Sequence, residues 1–116
     1  MARASHLEWF EELPCAVTVC DKDYTILYMN ERAADVNSKD GGKALIGKSL
    51  LDCHPPGARR KLKRVMASGR PHLYTIERES AKKLVYQGHW RKGKQVGGLV
   101  ELYFDLPKDI PNLVRK

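Results

Sequence analysis

The chain has 116 residues, of which 42% are hydrophobic and 30% are charged, and its formal net charge is +7. This length suits one domain with its own core, and the composition is that of a folded protein and not of a disordered one. No apolar run reaches the ~18 residues that a membrane-spanning helix needs, so we expect no membrane partner. The first 14 residues carry acids where a signal peptide needs an apolar stretch, so we expect a cytoplasmic protein.

The positive charge is concentrated in two stretches of the chain. Residues 55–70 contain six basic side chains and no acid, and residues 80–100 contain five more, again with no acid. A cluster of positive charge of this kind attracts nucleic acid or an acidic partner. The solvated face of a helix gives the same sequence pattern. Because no nucleic-acid-binding motif accompanies the charge, we favour the solvated face. A basic, nucleic-acid-associated regulator that uses residues 58–68 is the third hypothesis.

The three cysteines do not form a disulfide framework. Cys15 and Cys20 lie in a strand-like run, where a separation of five residues places them on opposite faces and ~16 Å apart. Cys53 and His54 are neighbours, and neighbours in a helix do not face each other as a nucleophile and its base must. Paired metal-ligand spacings are also missing. The sequence therefore predicts free thiols, no catalytic residue and no metal site.

The N-terminal half predicts a helix, a hairpin and then short helices. Ser5 and Glu8 form a capping-box pattern that predicts a leader helix. CAVTVC and YTILYMN predict two strands about the polar turn 21–23, and Val17 and Val19 share the face that we assign to the core. Asn30 can cap a helical turn in ERAADV. ALIGKSLLD predicts a further short helix, which the prolines at 55 and 56 end.

The C-terminal half predicts one longer helix and three strands. The helix runs from Ala58 to about Ser68, and Gly69 ends it. The strands are predicted at 72–79, 82–91 and 95–106. In the last strand apolar residues alternate from Val100 to Leu106, and we expect them to face the core. The whole order predicts an α+β fold, with one five-stranded antiparallel sheet and helices on one face.

Three stretches of the sequence occur in a characteristic order: LPCAVTVCDKDYTILYMNERAADV, LIGKSLLDCHPP and GGLVELYFDLP. They resemble, in turn, the opening of a PAS sensor domain, the segment before its long helix and its final strand. The resemblance covers about residues 5–107. It implies one PAS-like domain over residues 1–116, with a leader helix at 1–14, a core at 15–107 and an exit segment at 108–116.

The resemblance implies a bacterial sensory or regulatory module of signal transduction, and not an enzyme. PAS domains bind small ligands between sheet and helices, dimerise through the sheet or leader helix, and pass a signal to a protein partner. We therefore expect a homodimer, a signalling partner and a small-molecule ligand, in a chain that is either free-standing or a fragment. Apolar residues of the sheet and long helix should bound the ligand pocket. They are Val17, Val19, Leu62, Met66, Val100 and Leu102.

A haem-binding gas or redox sensor is the alternative function. Haem-carrying PAS domains commonly use a histidine on the long helix as the iron ligand, and residues 58–68 contain none. His54, just before this helix, or His72, just after it, would have to take that place. We expect no cofactor, and hence an absorption spectrum without a Soret band.

Overall fold

Two strands, a helical segment and three further strands follow one another along the chain. The computed structural model describes residues 8–116. The elements in chain order are α1 (Glu8–Glu11), β1 (Ala16–Asp21), β2 (Ile26–Met29), α2 (Glu31–Val36), the 3₁₀ turns Ser38–Asp40, Gly42–Leu45 and Leu50–Cys53, α3 (Pro56–Ser68), β3 (His72–Arg78), β4 (Ala81–Lys92) and β5 (Gln95–Leu106). The predicted cap at Ser5 lies outside the described residues.

All five strands form one antiparallel sheet in the order β2-β1-β5-β4-β3. The last strand of the chain therefore lies in the centre, where β5 pairs with β1 on one side and with β4 on the other. Side chains of α2 and α3 pack into one core with side chains of β1, β2 and β5. We call the sheet face that meets these helices the inner face, and the opposite one the outer face. The predicted α+β fold is confirmed.

The strand residues that pack against the helices are not the ones predicted to do so. On the inner face, β1 and β5 contribute Ala16, Cys20, Leu99 and Tyr103. The residues expected there lie on the outer face, and they are Val17, Val19, Val100, Leu102, Phe104 and Leu106. Both faces of these central strands are largely apolar, so a period of two shows that a strand is present but not which side is buried.

The buried side chain of Asn30 connects three parts of the fold. Its Oδ1 accepts hydrogen bonds from the backbone N–H groups of Val17 (3.0 Å) and Ala33 (2.9 Å). Its Nδ2 donates to the carbonyl oxygens of Phe10 (2.9 Å) and Cys15 (2.8 Å). The bond to Ala33 is the predicted N-cap of α2. The other three fix the segment between α1 and β1 against the end of β2.

Helix α3 covers the inner face and keeps its charge in solvent. Pro56 occupies the first turn, where a missing N–H costs nothing, and Gly69 ends the helix with φ of 70°. Leu62 and Val65 are buried in the core. The exposed basic residues of the helix are Arg59, Arg60, Lys63 and Arg64. No helix within residues 8–116 is long and apolar enough to cross a membrane.

A glycine pair in β5 allows three strands to come close together. The indole N–H of Trp90 donates to the carbonyl oxygen of Cys20 (2.8 Å), and the Trp90 ring fills the space where a Gly97 side chain would lie. A Cβ on Gly98 would overlap the same Cys20 oxygen and would lie 2.7 Å from the Asp21 backbone. This part of the sheet therefore requires glycine at position 98.

Glu11 links α1 to the rest of the fold. The phenol of Tyr28 donates a hydrogen bond to Glu11 Oε1 (3.0 Å), and the Lys43 ammonium group forms an ion pair with the other carboxylate oxygen. Burial and the Glu11 carboxylate together raise the pKa of Tyr28 to about 12. The hydrogen bond from Lys43 lowers the pKa of Glu11. Because the phenol stays protonated, it remains a donor to Glu11 across the physiological pH range.

Candidate functional site

A cavity of about 420 Å³ lies between the inner face of the sheet and the helical segment. Its apolar wall consists of Ile26, Met29, Val36, Leu45, Leu50, Ala58, Ile76 and Val85. Its polar lining consists of Thr18, Asn37, Cys53, His54, Tyr74, Arg78, Glu101 and Tyr103. The cavity thus combines an apolar wall with polar groups that could orient a small molecule.

A polar row crosses the middle of the inner face. In the register of the sheet, Thr18 lies opposite Glu101, Glu101 opposite Gln87, and Gln87 opposite His72. The Gln87 amide, which is 4% exposed, donates from Nε2 to Glu101 Oε2 (2.9 Å). Among the described residues, Gln87 Oε1 and His72 Nδ1 are buried without a hydrogen-bond partner. Buried polar atoms of this kind are rare in folded proteins and often mark functional sites.

The carboxylate of Glu101 has no cationic partner in the described part of the chain. No lysine, arginine or histidine nitrogen of residues 8–116 lies within 4.0 Å of it. Its hydrogen-bond partner is instead the amide of Gln87. Burial, followed by the charges of Glu101 and Tyr103, raises the pKa of Tyr74. Glu101 is therefore a half-buried carboxylate of the cavity lining that has no ion-pair partner within residues 8–116.

The Cys53-His54 pair lies at the mouth of the cavity, but the two side chains do not act on each other. His54 Nδ1 lies 2.8 Å from the carbonyl oxygen of Leu50, and Cys53 Sγ is directed to the carbonyl oxygen of Ser49. Because a carbonyl only accepts, His54 carries a proton on Nδ1 and donates it to Leu50. Burial, followed by the charges of Asp40 and Asp52, raises the Cys53 pKa and leaves a thiol that is a poor nucleophile.

The structure does not bring together the six residues from which we expected a pocket. Leu62 and Met66 lie on the helix side of the sheet, in or against the core. Val17, Val19, Val100 and Leu102 lie on the outer face, so the sheet itself separates the two groups. None of the six lines the cavity. The expected lining is corrected accordingly: the alternate residues of β1 and β5, Thr18, Glu101 and Tyr103, face the cavity in their place.

The two histidines considered as haem ligands lie in different places. His54 lines the cavity, whereas His72 lies in a separate surface depression of about 240 Å³ beside Lys61, Arg64 and Arg70. Within residues 8–116, no group of three or more histidine, cysteine or acidic side chains could hold a metal ion.

The sequence contained one signal for the missed site residues. Thr18 is the polar residue inside the run CAVTVC, and Glu101 is the acid inside the run LVELYF. Each interrupts an otherwise apolar strand, and the sheet places them opposite each other. A polar residue inside a buried strand requires a partner, and that requirement was the available indication of a site.

Comparison with known proteins supports one family. A family model described as the PAS fold matches residues 10–87, whereas no curated protein sequence matches the chain. The PAS domain of BvgS from Bordetella pertussis is similar in structure, with 12% identity, a TM-score of 0.65, and coverage of 92% of this chain and 88% of that one. A sensor histidine kinase from Vibrio cholerae has 17% identity, a TM-score of 0.62, and coverage of 91% and 93%.

A third similar structure belongs to a regulator. The VqmA dimer from Vibrio cholerae, described as a LuxR-type receptor, has 15% identity and a TM-score of 0.67. The match covers 90% of this chain but 51% of VqmA, which has also been solved bound to DPO. These likenesses concern the fold, and the family model covers most of the chain. Together with the five-stranded sheet and the cavity on its inner face, they show that the chain belongs to the PAS fold family.

Proposed function

We propose that the protein is a sensory module that binds a small ligand in the inner-face cavity and passes the resulting change to a partner protein. This proposal rests on the cavity between the sheet and the helices, which has a volume of about 420 Å³. Small-molecule sites are typically ~300–1,000 Å³ in volume. The similar structures include a sensor histidine kinase and the regulator VqmA bound to DPO, which supports the same role here.

We further propose that the module has no catalytic activity of its own. The chemistry at the cavity supports this view, because a raised pKa keeps Cys53 as a thiol and no base is directed at it. Glu101 has no second carboxylate beside it among the residues that line the cavity. A paired acid and base, or an activated nucleophile, is what hydrolytic or transfer chemistry would need.

Filling the cavity should abolish ligand binding. Ala58 is half-buried on α3 and lines the cavity, so Ala58→Trp places an indole in the space that a ligand would occupy. Some small compounds should raise the melting temperature of the wild-type protein in a thermal-shift screen. We expect the same compounds to leave the melting temperature of Ala58→Trp unchanged. Ala67→Trp is the matched control, since Ala67 is exposed on the same helix. Equal ligand responses in both variants would contradict the proposal.

A haem sensor is the second candidate, because one contact favours it. The ring of His54 is held by the hydrogen bond from Nδ1 to a backbone carbonyl, and histidines that bind metals through Nε2 are oriented in this way. His54 would hold the iron, and haem would supply gas binding or redox change. The absorption spectrum of freshly purified protein decides between the candidates. A Soret band that His54→Ala removes would establish the haem sensor, and its absence would support the first proposal.

We propose that two copies associate through their outer faces. This face remains apolar and partly uncovered within the described residues, with Leu73 55% exposed and Phe104 37% exposed. The half-buried residues Leu84, Tyr86 and Leu102 lie between them on the same face. Apolar surface of this kind marks an interaction site, and a twofold dimer would place identical surfaces together. The VqmA relative is itself described as a dimer.

Leu73→Glu should weaken this dimer without unfolding the protein. The side chain is exposed, so the substitution leaves the core intact but places a charge in the apolar interface. We expect the dissociation constant measured by sedimentation velocity to rise at least about tenfold. Ala67→Glu, at an exposed position of α3, is the control because it changes the net charge by the same amount. A monomeric wild-type protein, or equal dissociation constants for the two variants, would refute the outer-face dimer.

A further inference from the structure

Two charged side chains of the sheet line the cavity, Glu101 on the central strand β5 and Arg78 at the end of β3. Glu101 lies on the central strand β5, and Gln87 holds one of its carboxylate oxygens through a hydrogen bond of 2.9 Å. We propose that the ligand of this cavity is a small cation, an amine or amidine on an apolar or aromatic body, whose N–H groups bind Glu101. This inference rests on the proposed function and specifies the chemistry of its ligand.

The surroundings of Glu101 favour a cationic group over a neutral one. The carboxylate is partly buried, and no basic nitrogen of residues 8–116 lies within 4.0 Å of it. A charge in such a place is stabilised most by a charged partner with N–H donors, because hydrogen bonds between ionised groups are about twice as strong as neutral ones. The amide of Gln87 supplies one neutral donor, and no side chain of residues 8–116 supplies a cationic partner within 4.0 Å. A ligand can supply one.

The remaining lining suits the other parts of such a ligand. The rings of Tyr74 and Tyr103 line the cavity with Glu101, and the faces of aromatic rings attract cations. Both rings already hold ammonium groups of the protein, since Lys61 Nζ lies 4.7 Å from the centre of the Tyr74 ring and Lys83 Nζ lies 5.0 Å from that of Tyr103. The Glu101 carboxylate, and not these rings, is therefore the partner of the ligand cation. The apolar wall on the helix side would hold the body of the ligand.

The opposite charge in the cavity defines the competing ligand class. Arg78 also lines the cavity, but it lies near the end of β3 and is exposed, whereas Glu101 lies midway along the central strand. An anionic ligand would bind Arg78 and be repelled by Glu101. Because exposed charges are screened by water and salt and partly buried ones much less so, Glu101 should dominate the choice.

Three compounds of nearly equal shape can test this choice. Benzamidine is a cation, benzamide is neutral and benzoate is an anion, and all three carry the same phenyl ring. We expect titrations followed by amide chemical shifts to place benzamidine in the cavity, with shifts at Thr18, Val85 and Glu101. Its affinity should exceed that of benzamide by at least about tenfold, the factor typical of one charge-assisted hydrogen bond. Benzoate should bind more weakly than benzamide.

Glu101→Gln tests whether the carboxylate is responsible. The variant keeps the shape of the side chain, and we expect it to lose the preference for benzamidine while it still binds benzamide. Glu77→Gln is the control, because Glu77 lies on the outer face and carries the same charge. Equal or stronger binding of benzoate, or an unchanged preference in Glu101→Gln, would overturn the inference but leave the ligand-binding function intact. If no compound of the three shifts any cavity residue, both proposals fail together.

Discussion

Asn30→Ala should lower the free energy of unfolding by about 3–5 kcal/mol. The substitution removes four hydrogen bonds at once, and the four backbone groups left behind belong to the segment from α1 to β1 and to the first turn of α2. Each buried polar group that loses its partner costs about 1–3 kcal/mol, less where water can enter. Asn30 is fully buried, so water has little access to replace the bonds. Urea denaturation followed by circular dichroism measures the effect.

Two further variants give this prediction its controls. Asn37→Ala removes one hydrogen bond, from Nδ2 to the carbonyl oxygen of Ala33, at a half-buried position, and should cost about 1 kcal/mol. Asn30→Asp keeps the acceptor but replaces the donor to Phe10 and Cys15 with an oxygen, so it should be as harmful as alanine at neutral pH. If Asn30→Ala lowered the free energy of unfolding by less than about 1 kcal/mol, the four hydrogen bonds of Asn30 would not act cooperatively.

Gly98→Ala should destabilise the fold by about 3 kcal/mol or more, because backbone atoms occupy the space that a methyl group needs. The added Cβ would meet the Cys20 carbonyl oxygen and would lie 2.7 Å from the Asp21 backbone. These atoms belong to β1, which cannot move away without breaking its pairing with β5. The same movement would break the hydrogen bond from Trp90 to Cys20. Thermal unfolding measures the loss of stability, and Trp90 fluorescence measures the loss of the hydrogen bond to Cys20.

Gly57→Ala is the matched control for this substitution. Gly57 lies in the first turn of α3, and its nearest neighbour is the guanidinium group of Arg60 at 3.8 Å. The Cβ of an alanine at this position makes only an ordinary van der Waals contact, and alanine favours a helix more than glycine does. The free energy of unfolding should therefore stay the same or rise by up to about 1 kcal/mol. If Gly98→Ala were as stable as Gly57→Ala, the close approach of β1 and β5 at this point would be disproved.

The parts of the fold that follow from local chemistry could be predicted from the sequence. The cap at Asn30 and the end of α3 at Gly69 depend on residues near in sequence, and the structure has both. The start of α3 was predicted less well, because the helix begins at Pro56 and not at Ala58. The strands were also predictable, because alternation of side chains is local. What could not be predicted was the side of the sheet that is buried. That choice depends on α2 and α3, which are distant in sequence from β5.

The candidate site was predicted less well for the same reason. A pocket built from the most apolar strand residues, such as Val17 and Leu102, followed from the assumption that one apolar face meets the helices. The cavity instead uses Thr18 and Glu101, residues 83 positions apart in the sequence that the sheet places side by side. Only the pairing of β1 with β5 brings them together, and no local pattern specifies that pairing. His54, which the sequence offered only as a possible haem ligand and not as a pocket residue, also lines the cavity.

The central position of β5 has a consequence for how the molecule folds. Without this strand, β1–β2 and β3–β4 are two hairpins that share no hydrogen bonds in the sheet order. Isolated two-stranded hairpins are only marginally stable in water, so neither of these two hairpins forms a stable sheet on its own. During synthesis, the sheet can therefore assemble only after residues up to Leu106 have left the ribosome. Folding should be slow for this size and concerted, since the decisive contacts join the first strand to the last.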